Sequence, residues 1–226
     1  MKFFLDTAHL EEIEIASSWG ILDGITTNPT LLAKEGKIDL EKHVKTICKI
    51  VNGPVSVEVL GTGADAMVAE GRTYAKWAKN VVVKLPMTAE GLKAVGLLKQ
   101  AKIRVNVTLV FSANQALLAA KAGADFVSPF IGRLDENGED GLILVEEIRT
   151  IFDQYAFATE ILVASVRHPR QVTEVAMMGA DVCTMPFAVL EKLLHHPLTD
   201  RGLERFLEDG KLLTHNPKHS HGTATR

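Results

Sequence analysis

Only two cysteines, Cys48 and Cys183, occur in the 226 residues. They stand far apart and lack metal-ligand spacing, which excludes a disulfide-stapled fold or a zinc ribbon and suits a reducing compartment, so a cytoplasmic protein is expected. No stretch approaches the roughly 18 apolar residues of a membrane-spanning helix. The start, Met1-Lys2-Phe3-Phe4-Leu5-Asp6, meets an acid too early for a secretory apolar region and reads as a strand. No membrane partner is expected. A surplus of positive charge is also missing: 25 Lys and Arg against 28 Asp and Glu leave a net charge of -3, unsuited to a phosphate backbone, so nucleic acid is not an expected partner. There is no Gly-x-Gly-x-x-Gly after a strand and no Walker-type loop, and Gly61-Thr62-Gly63 is too short a match to count. His9, His43 and His168 lack i, i+4 pairing, and no His/Asp/Glu set makes a metal site. Chemistry without a cofactor or a metal is therefore expected.

What is present is a core-forming composition, 46% hydrophobic and 23% charged, enough for one domain or two. Short β-rich apolar runs alternate with longer segments of helical period, the pattern of βα units around a parallel sheet. The strands are expected at Lys2–Asp6, Leu22–Ile25, Val55–Val59, Val81–Lys84, Ile103–Thr108, Phe126–Ser128, Ile161–Ala164 and Val182–Thr184. Helical segments include Leu10–Trp19, Ala64–Lys79, Ala89–Gln100, Asn114–Ala122, Gly141–Phe152, Pro169–Met178 and Ala188–Leu194, with start signals at Thr88, Ser112 and Pro169. Eight units across 226 residues take about 28 each, close to what a strand, helix and two loops need, so the fold expected is an α/β, single-domain (β/α)8 TIM barrel. Two Gly-Ala-Asp turns, at Gly123 and Gly179, are placed to end a helix and begin a strand. Residues 1–210 are assigned to the barrel with a short C-terminal helix at Asp200–Leu207, and 211–226 to a loose tail. The tail's His215, His219 and His221 suggest metal binding by composition, but a tail without fixed geometry makes a poor ligand site.

In such a barrel chemistry gathers where strands end, and these ends are polar. Asp6 closes the first strand, Thr26-Thr27-Asn28 the second, Glu58 lies in the third, Lys84 closes the fourth, Asn106 and Thr108 lie in the fifth, Ser128 closes the sixth with Arg133 beyond, and Ser165 closes the seventh with Arg167 beyond. Lys84, after three valines and before Leu85-Pro86, belongs to a buried strand where an unpaired ammonium is costly. It either forms a structural pair with Glu58 or serves as an amine nucleophile toward a carbonyl, which needs a desolvated lysine. Asp6 and Glu58 supply two acids for the proton transfers of imine formation and carbon–carbon cleavage, with helix capping as the plain alternative for Asp6. Arg133, Arg167 and Ser165 suit a phosphate; each arginine alone is an ordinary solvated loop residue. Asn28, Asn106 and Ser128 either orient hydroxyls or satisfy loop backbone groups.

Six stretches, Phe3–Ala8, Gly24–Thr30, Val83–Thr88, Asn106–Ser112, Val127–Arg133 and Ala164–Pro169, together resemble the small-subunit transaldolases. The resemblance runs from Met1 to about Asp209 and implies a (β/α)8 barrel of the non-oxidative pentose phosphate pathway. Such an enzyme moves a dihydroxyacetone unit from sedoheptulose 7-phosphate to glyceraldehyde 3-phosphate, giving erythrose 4-phosphate and fructose 6-phosphate. It implies Lys84 as the Schiff-base lysine, Asp6 as acid/base at the substrate C4 hydroxyl, and Glu58 with Thr108 as holders of the catalytic water. Thr26, Asn28, Asn106 and Ser128 correspond to hydroxyl-orienting positions, and Arg133, Ser165 and Arg167 to phosphate contacts. Related fructose 6-phosphate aldolases, which release free dihydroxyacetone, are similar to Gln at position 58 and Tyr at 130. Glu58 and Phe130 thus favour the transferase, though Phe130 also suits simple packing at the barrel mouth. The resemblance further implies a homodecamer or homopentamer, and Leu203, Phe206 and Leu207 give the C-terminal helix an apolar face. A barrel that binds sugar phosphates without chemistry is the remaining reading, and the Lys84, Asp6 and Glu58 set speaks against it.

Overall fold

Each of the eight expected apolar runs forms a strand in the computed structural model, which describes residues 1–214. The strands are β1 (Lys2–Asp6), β2 (Gly24–Thr26), β3 (Val55–Glu58), β4 (Val81–Pro86), β5 (Val105–Val110), β6 (Phe126–Pro129), β7 (Glu160–Val163) and β8 (Val182–Met185). All pair in parallel and in chain order, and β8 returns to β1 at Phe4↔Thr184 and Leu5↔Met185, closing the barrel. The fold is the (β/α)8 barrel, an α/β single domain. The helices are α1 (Leu10–Ser18), α2 (Pro29–Lys34), α3 (Leu40–Ile50), α4 (Ala64–Tyr74), α5 (Ala89–Gln100), α6 (Ala113–Ala122), α7 (Ile131–Glu136), α8 (Gly141–Gln154), α9 (Pro169–Met177), α10 (Phe187–Lys192) and α11 (Pro197–Thr214).

Strand limits fall within two residues of expectation. Helices differ more, and for local reasons. The six-residue α2 and α7 are too short to show a period, although Asn28 caps α2 by accepting from Leu31 N at 2.9 Å, with Pro29 at the first turn. Helix α3 was missed although its signals are present, with Val44 and Ile47 buried on one face and Asp39 marking its start by accepting from Lys42 N at 3.0 Å. Helix α4 stops at Tyr74 rather than Lys79, its last bonds tightening into turns at Lys76 N to Thr73 O and Trp77 N to Tyr74 O. Start signals at Thr88 and Ser112 are real caps, accepting from Gly91 N and Gln115 N.

The barrel body is Met1–Leu190, and the chain from Glu191 forms a separate unit. In that unit α11 runs four residues past Gly210 and begins three before Asp200, with Leu198, Leu203, Phe206, Leu207 and Leu213 exposed. Of the expected tail, residues 211–226, the first four continue α11, and residues 215–226, with His215, His219 and His221, lie outside the described residues. Among the described residues no helix is long and apolar enough to cross a membrane.

Inside the barrel, period-two alternation sends every second side chain inward. Phe4, Val82, Phe126, Leu162 and Val182 form a dry layer toward the N-terminal ends. Below it Arg104 stacks on the Phe126 ring at 5.2 Å and Lys2 meets Glu160 at 2.7 Å. The same N-terminal face carries a repeated device. Asp23, Asp125 and Asp181, each just before a strand, accept at 2.8 Å from the backbone N–H of Phe3, Val105 and Ile161, in each case 20 residues earlier. Two of the three follow the expected Gly-Ala-Asp turns, where Gly123 at φ 92° and Gly179 at φ 79° take the left-handed backbone that ends a helix.

Replacing Asp181 by Ala leaves the Ile161 N–H unpaired and takes one carboxylate from Arg149, so stability falls by about 1–3 kcal/mol. Urea unfolding measures the loss, and catalysis in the folded protein stays at the parent level because this face lies opposite the site.

Candidate active site

Continuing the inward pattern toward the C-terminal ends of the strands replaces apolar side chains by polar ones. β1 ends at Asp6, β2 at Thr26 and β3 at Glu58, while the registers Asp6↔Thr26, Glu58↔Lys84 and Lys84↔Asn106 set these residues side by side on neighbouring strands. They surround a cavity of about 440 Å³. Asp6, Thr26, Asn28, Glu58, Lys84, Thr108, Ser128, Phe130, Arg133, Ser165 and Arg167 all line it. Asn106 does not. It is fully buried beneath, donating to Ser56 Oγ at 3.2 Å and accepting from Ser128 Oγ at 2.8 Å, so it orients a lining hydroxyl instead of facing the cavity.

Lys84 is 4% exposed, yet it lines the cavity. Its Nζ lies 3.0 Å from Glu58 Oε2 and donates to Thr27 O at 3.0 Å. The ion pair considered as the structural alternative therefore exists, and both of its partners line the cavity. Asp6 caps no helix: α1 has His9 at its N-cap without a side-chain bond. Asp6 Oδ1 instead accepts from Thr26 Oγ1 at 2.6 Å. Since Thr26 spends its one hydroxyl proton there, the 2.7 Å contact between Thr26 and Thr184 must be donated by Thr184. A two-hydroxyl chain thus holds the carboxylate. Asn28 divides its roles, its Oδ1 committed to capping α2 and its amide nitrogen left for the cavity.

Two lining hydroxyls, Thr108 Oγ1 and Ser165 Oγ, are buried with no hydrogen-bond partner in the protein. Leaving such a group unpaired costs about 1–3 kcal/mol, a cost that a bound polar molecule removes. Backbone strain sits here too, with Leu109 at φ 59° and Ser165 at φ 61°, both lining the cavity and neither a glycine. A register shift between Val107 and Val110 accompanies the former. At the rim the Phe130 ring meets Phe111 edge-on at 5.8 Å and carries the Arg133 guanidinium at 5.8 Å. Arg167 Nε donates to Glu136 at 2.9 Å.

Sequence reasoning missed Thr184, Ser56, the Thr27 carbonyl and the α2 residues Pro29, Thr30 and Leu31. Thr184 was findable, since it ends the eighth expected strand and the strand-end rule applies to it as to the others. The thiols offer no alternative nucleophile, because burial pushes Cys48 up to about 11 and Cys183 up to about 12. Among the described residues no group of three or more His, Cys, Asp or Glu is placed to hold a metal.

The family model described as Transaldolase/Fructose-6-phosphate aldolase matches residues 3–222. A "Probable transaldolase" of Aquifex aeolicus (strain VF5) is 59% identical over 217 residues, covering 96% of this chain and 100% of the relative. A "Probable transaldolase" of Methanococcus maripaludis (strain C7) is 58% identical over 209 residues, covering 92% and 97%. Among solved structures, a thiamine phosphate pyrophosphorylase from Pyrococcus furiosus aligns with a TM-score of 0.55 at 16% identity over 82% of this chain and 85% of its own, a likeness of fold alone.

Thr108→Val keeps the shape of the side chain and deletes the unpaired hydroxyl. The ligand-free protein is expected to hold its stability or gain up to about 1 kcal/mol in thermal unfolding, while turnover falls. Loss of stability would mean that the hydroxyl has a structural partner.

Proposed function

The chain belongs to the transaldolase/fructose-6-phosphate aldolase family, and from that premise we propose that it transfers a dihydroxyacetone unit from sedoheptulose 7-phosphate to glyceraldehyde 3-phosphate, giving erythrose 4-phosphate and fructose 6-phosphate. The observation that carries this reading is a buried amine, Lys84 Nζ, on the wall of a cavity that also holds two separate carboxylates. Lys84 attacks the ketose carbonyl carbon, and water leaves to form the imine. Glu58, in contact with Nζ, is placed to pass protons to and from that water, with the free Thr108 hydroxyl as its second anchor. Asp6 takes the C4 hydroxyl proton as the C3–C4 bond breaks. The bonding pair stays on C3 as the enamine, and the aldose departs. The acceptor aldehyde then reacts at C3, Asp6 returns its proton to the new hydroxyl, and hydrolysis frees Lys84.

Separating the acids suits the sequence of steps, because one proton transfer serves the water lost and regained at C2 and the other the hydroxyl two carbons along at C4. The hydroxyl chain from Thr184 through Thr26 keeps Asp6 oriented without supplying a competing cation. Arg133, Arg167 and Ser165 at the rim serve the phosphate, and Asn28 and Ser128 the sugar hydroxyls. Phe130 places no hydroxyl at the enamine, which favours waiting for an acceptor over release. We assign the enzyme to the pentose phosphate pathway in the cytoplasm, working without a cofactor as a homodecamer or homopentamer.

Borohydride reduction in the presence of fructose 6-phosphate should fix a three-carbon unit on Lys84, detectable by peptide mass spectrometry, and Lys84→Met should lose the adduct and at least about 10³-fold in kcat. An adduct elsewhere, or none, overturns the imine. A coupled assay with and without glyceraldehyde 3-phosphate decides between the transferase and the aldolase: turnover is expected to require the acceptor, and free dihydroxyacetone without it would establish the aldolase instead.

A further inference from the structure

Helix α7 and the loop that follows β7 are joined at several points. Phe130 bridges Ala164, and Ile131 N donates to Ala164 O at 3.2 Å. Gly132 sits so close that a Cβ there would lie 2.0 Å from Ser165 O and 2.8 Å from Arg167 Cγ. Between the two elements stands Gln171, the third residue of α9, only 2% exposed. Its Oε1 accepts from the Arg167 backbone N–H at 2.8 Å, and its Nε2 donates to Asp135 Oδ2 at 2.6 Å. Asp135 in turn accepts at Oδ1 from Gly141 N, at the head of α8, at 2.9 Å. Gln115 holds the same place on α6 and accepts from Phe111 N at 2.7 Å, which is ordinary helix capping. Only Gln171 carries the bond onward to another helix.

This relay ties the backbone under Ser165 and Arg167 to the helix that bears Arg133. Ser165 is held at φ 61° with its hydroxyl unpaired, a conformation that persists only where the surroundings enforce it. A phosphate gripped by donors from two elements is bound well only if those elements keep their spacing, since ordering them on binding is subtracted from affinity. We propose that Gln171 and Asp135 are positioning residues of the phosphate subsite, setting the distance between Arg133 and the Ser165–Arg167 pair without touching the substrate. The proposal rests on the reading of Arg133, Ser165 and Arg167 as phosphate contacts.

The test uses polarity reversal. Gln171→Glu puts two carboxylates face to face, and Asp135→Asn sets an amide against one of its two donor partners. Combined, the introduced carboxylate still accepts from Arg167 N–H and the introduced amide donates to it, so the relay is rebuilt with its donor reversed. Each single variant should raise the inhibition constant of inorganic phosphate and KM for sedoheptulose 7-phosphate about tenfold, and the double variant should return both to within about twofold of the parent. Borohydride trapping of free dihydroxyacetone on Lys84, which involves no phosphate, should stay unchanged in all three. Singles that weaken phosphate binding and trapping alike, or a double that regains the parent's thermal midpoint but not its phosphate affinity, would reduce Gln171 to a structural cap and overturn the proposal. If a single variant fails to fold by circular dichroism, the double variant decides by the same criterion. Arg167→Ala separates the premise: no change in phosphate inhibition there removes the phosphate subsite itself, whereas a rise in Arg167→Ala without one in Gln171→Glu overturns only the relay.

Discussion

The hydrogen bonds by which β8 pairs with β1, at Phe4↔Thr184 and Leu5↔Met185, turn a twisted sheet into a ring. A ring has no edge, and its strands cannot slip singly, because a shift of one residue would exchange inward and outward side chains on a strand whose neighbours are both fixed. Closure therefore decides which residues meet. It brings Thr184 from one end of the barrel sequence against Thr26 near the other, 158 residues apart, and through Thr26 to Asp6. It also divides the interior into an apolar layer around Phe4 and Phe126 and a polar layer above, so that a charged group at a strand end reaches the mouth without disturbing the core.

Lys84 shows how such a position is tolerated. An ammonium in a water-poor interior is unstable unless opposed, and Glu58 Oε2 and Thr27 O stand at 3.0 Å. The same pairing that makes the lysine affordable in the folded state also sets a proton acceptor beside the nitrogen. Structural and chemical readings of the pair are thus not rivals. A lysine that loses its carboxylate becomes an unopposed buried charge, and a carboxylate beside an amine on a cavity wall is placed to act as acid or base.

Much of the barrel is legible in the sequence because strands buried on both faces are short, β-branched and separated by glycine or capping residues. Val81-Val82-Val83 and Ile161-Leu162-Val163 leave little choice of structure. The six-residue α2 and α7 are not legible, being too short to show a period, whereas α10, of the same length, is read at Ala188–Leu194 from its place after the last strand. The site follows the same division. Residues at strand ends, such as Asp6, Glu58 and Lys84, are found by one rule. Asn106 is misplaced by it, since the rule gives which side a residue faces but not its depth; one pair below the mouth, a polar side chain meets Ser56 and Ser128 before it meets the cavity. The Gln171–Asp135 relay joins residues 36 apart through a rotamer choice that no spacing encodes.

Unmet polar groups and left-handed backbone occur at both ends of the barrel, but those at the C-terminal end gather on the wall of one cavity. At the N-terminal face Asp23, Asp125 and Asp181 close backbone donors and Lys2 meets Glu160, while Arg149 Nε stays unpaired and Lys102 and Ala156 take left-handed backbone. At the C-terminal face the unpaired hydroxyls of Thr108 and Ser165 and the left-handed backbone at Leu109 and Ser165 all line the same cavity. Each of those features costs stability and has value only when something polar enters the cavity. A protein that needed only to fold would place Val at 108 and Gly at 165. That these hydroxyls and this strained backbone meet around the one buried amine of that cavity is the physical argument that the cavity is shaped for a polar occupant.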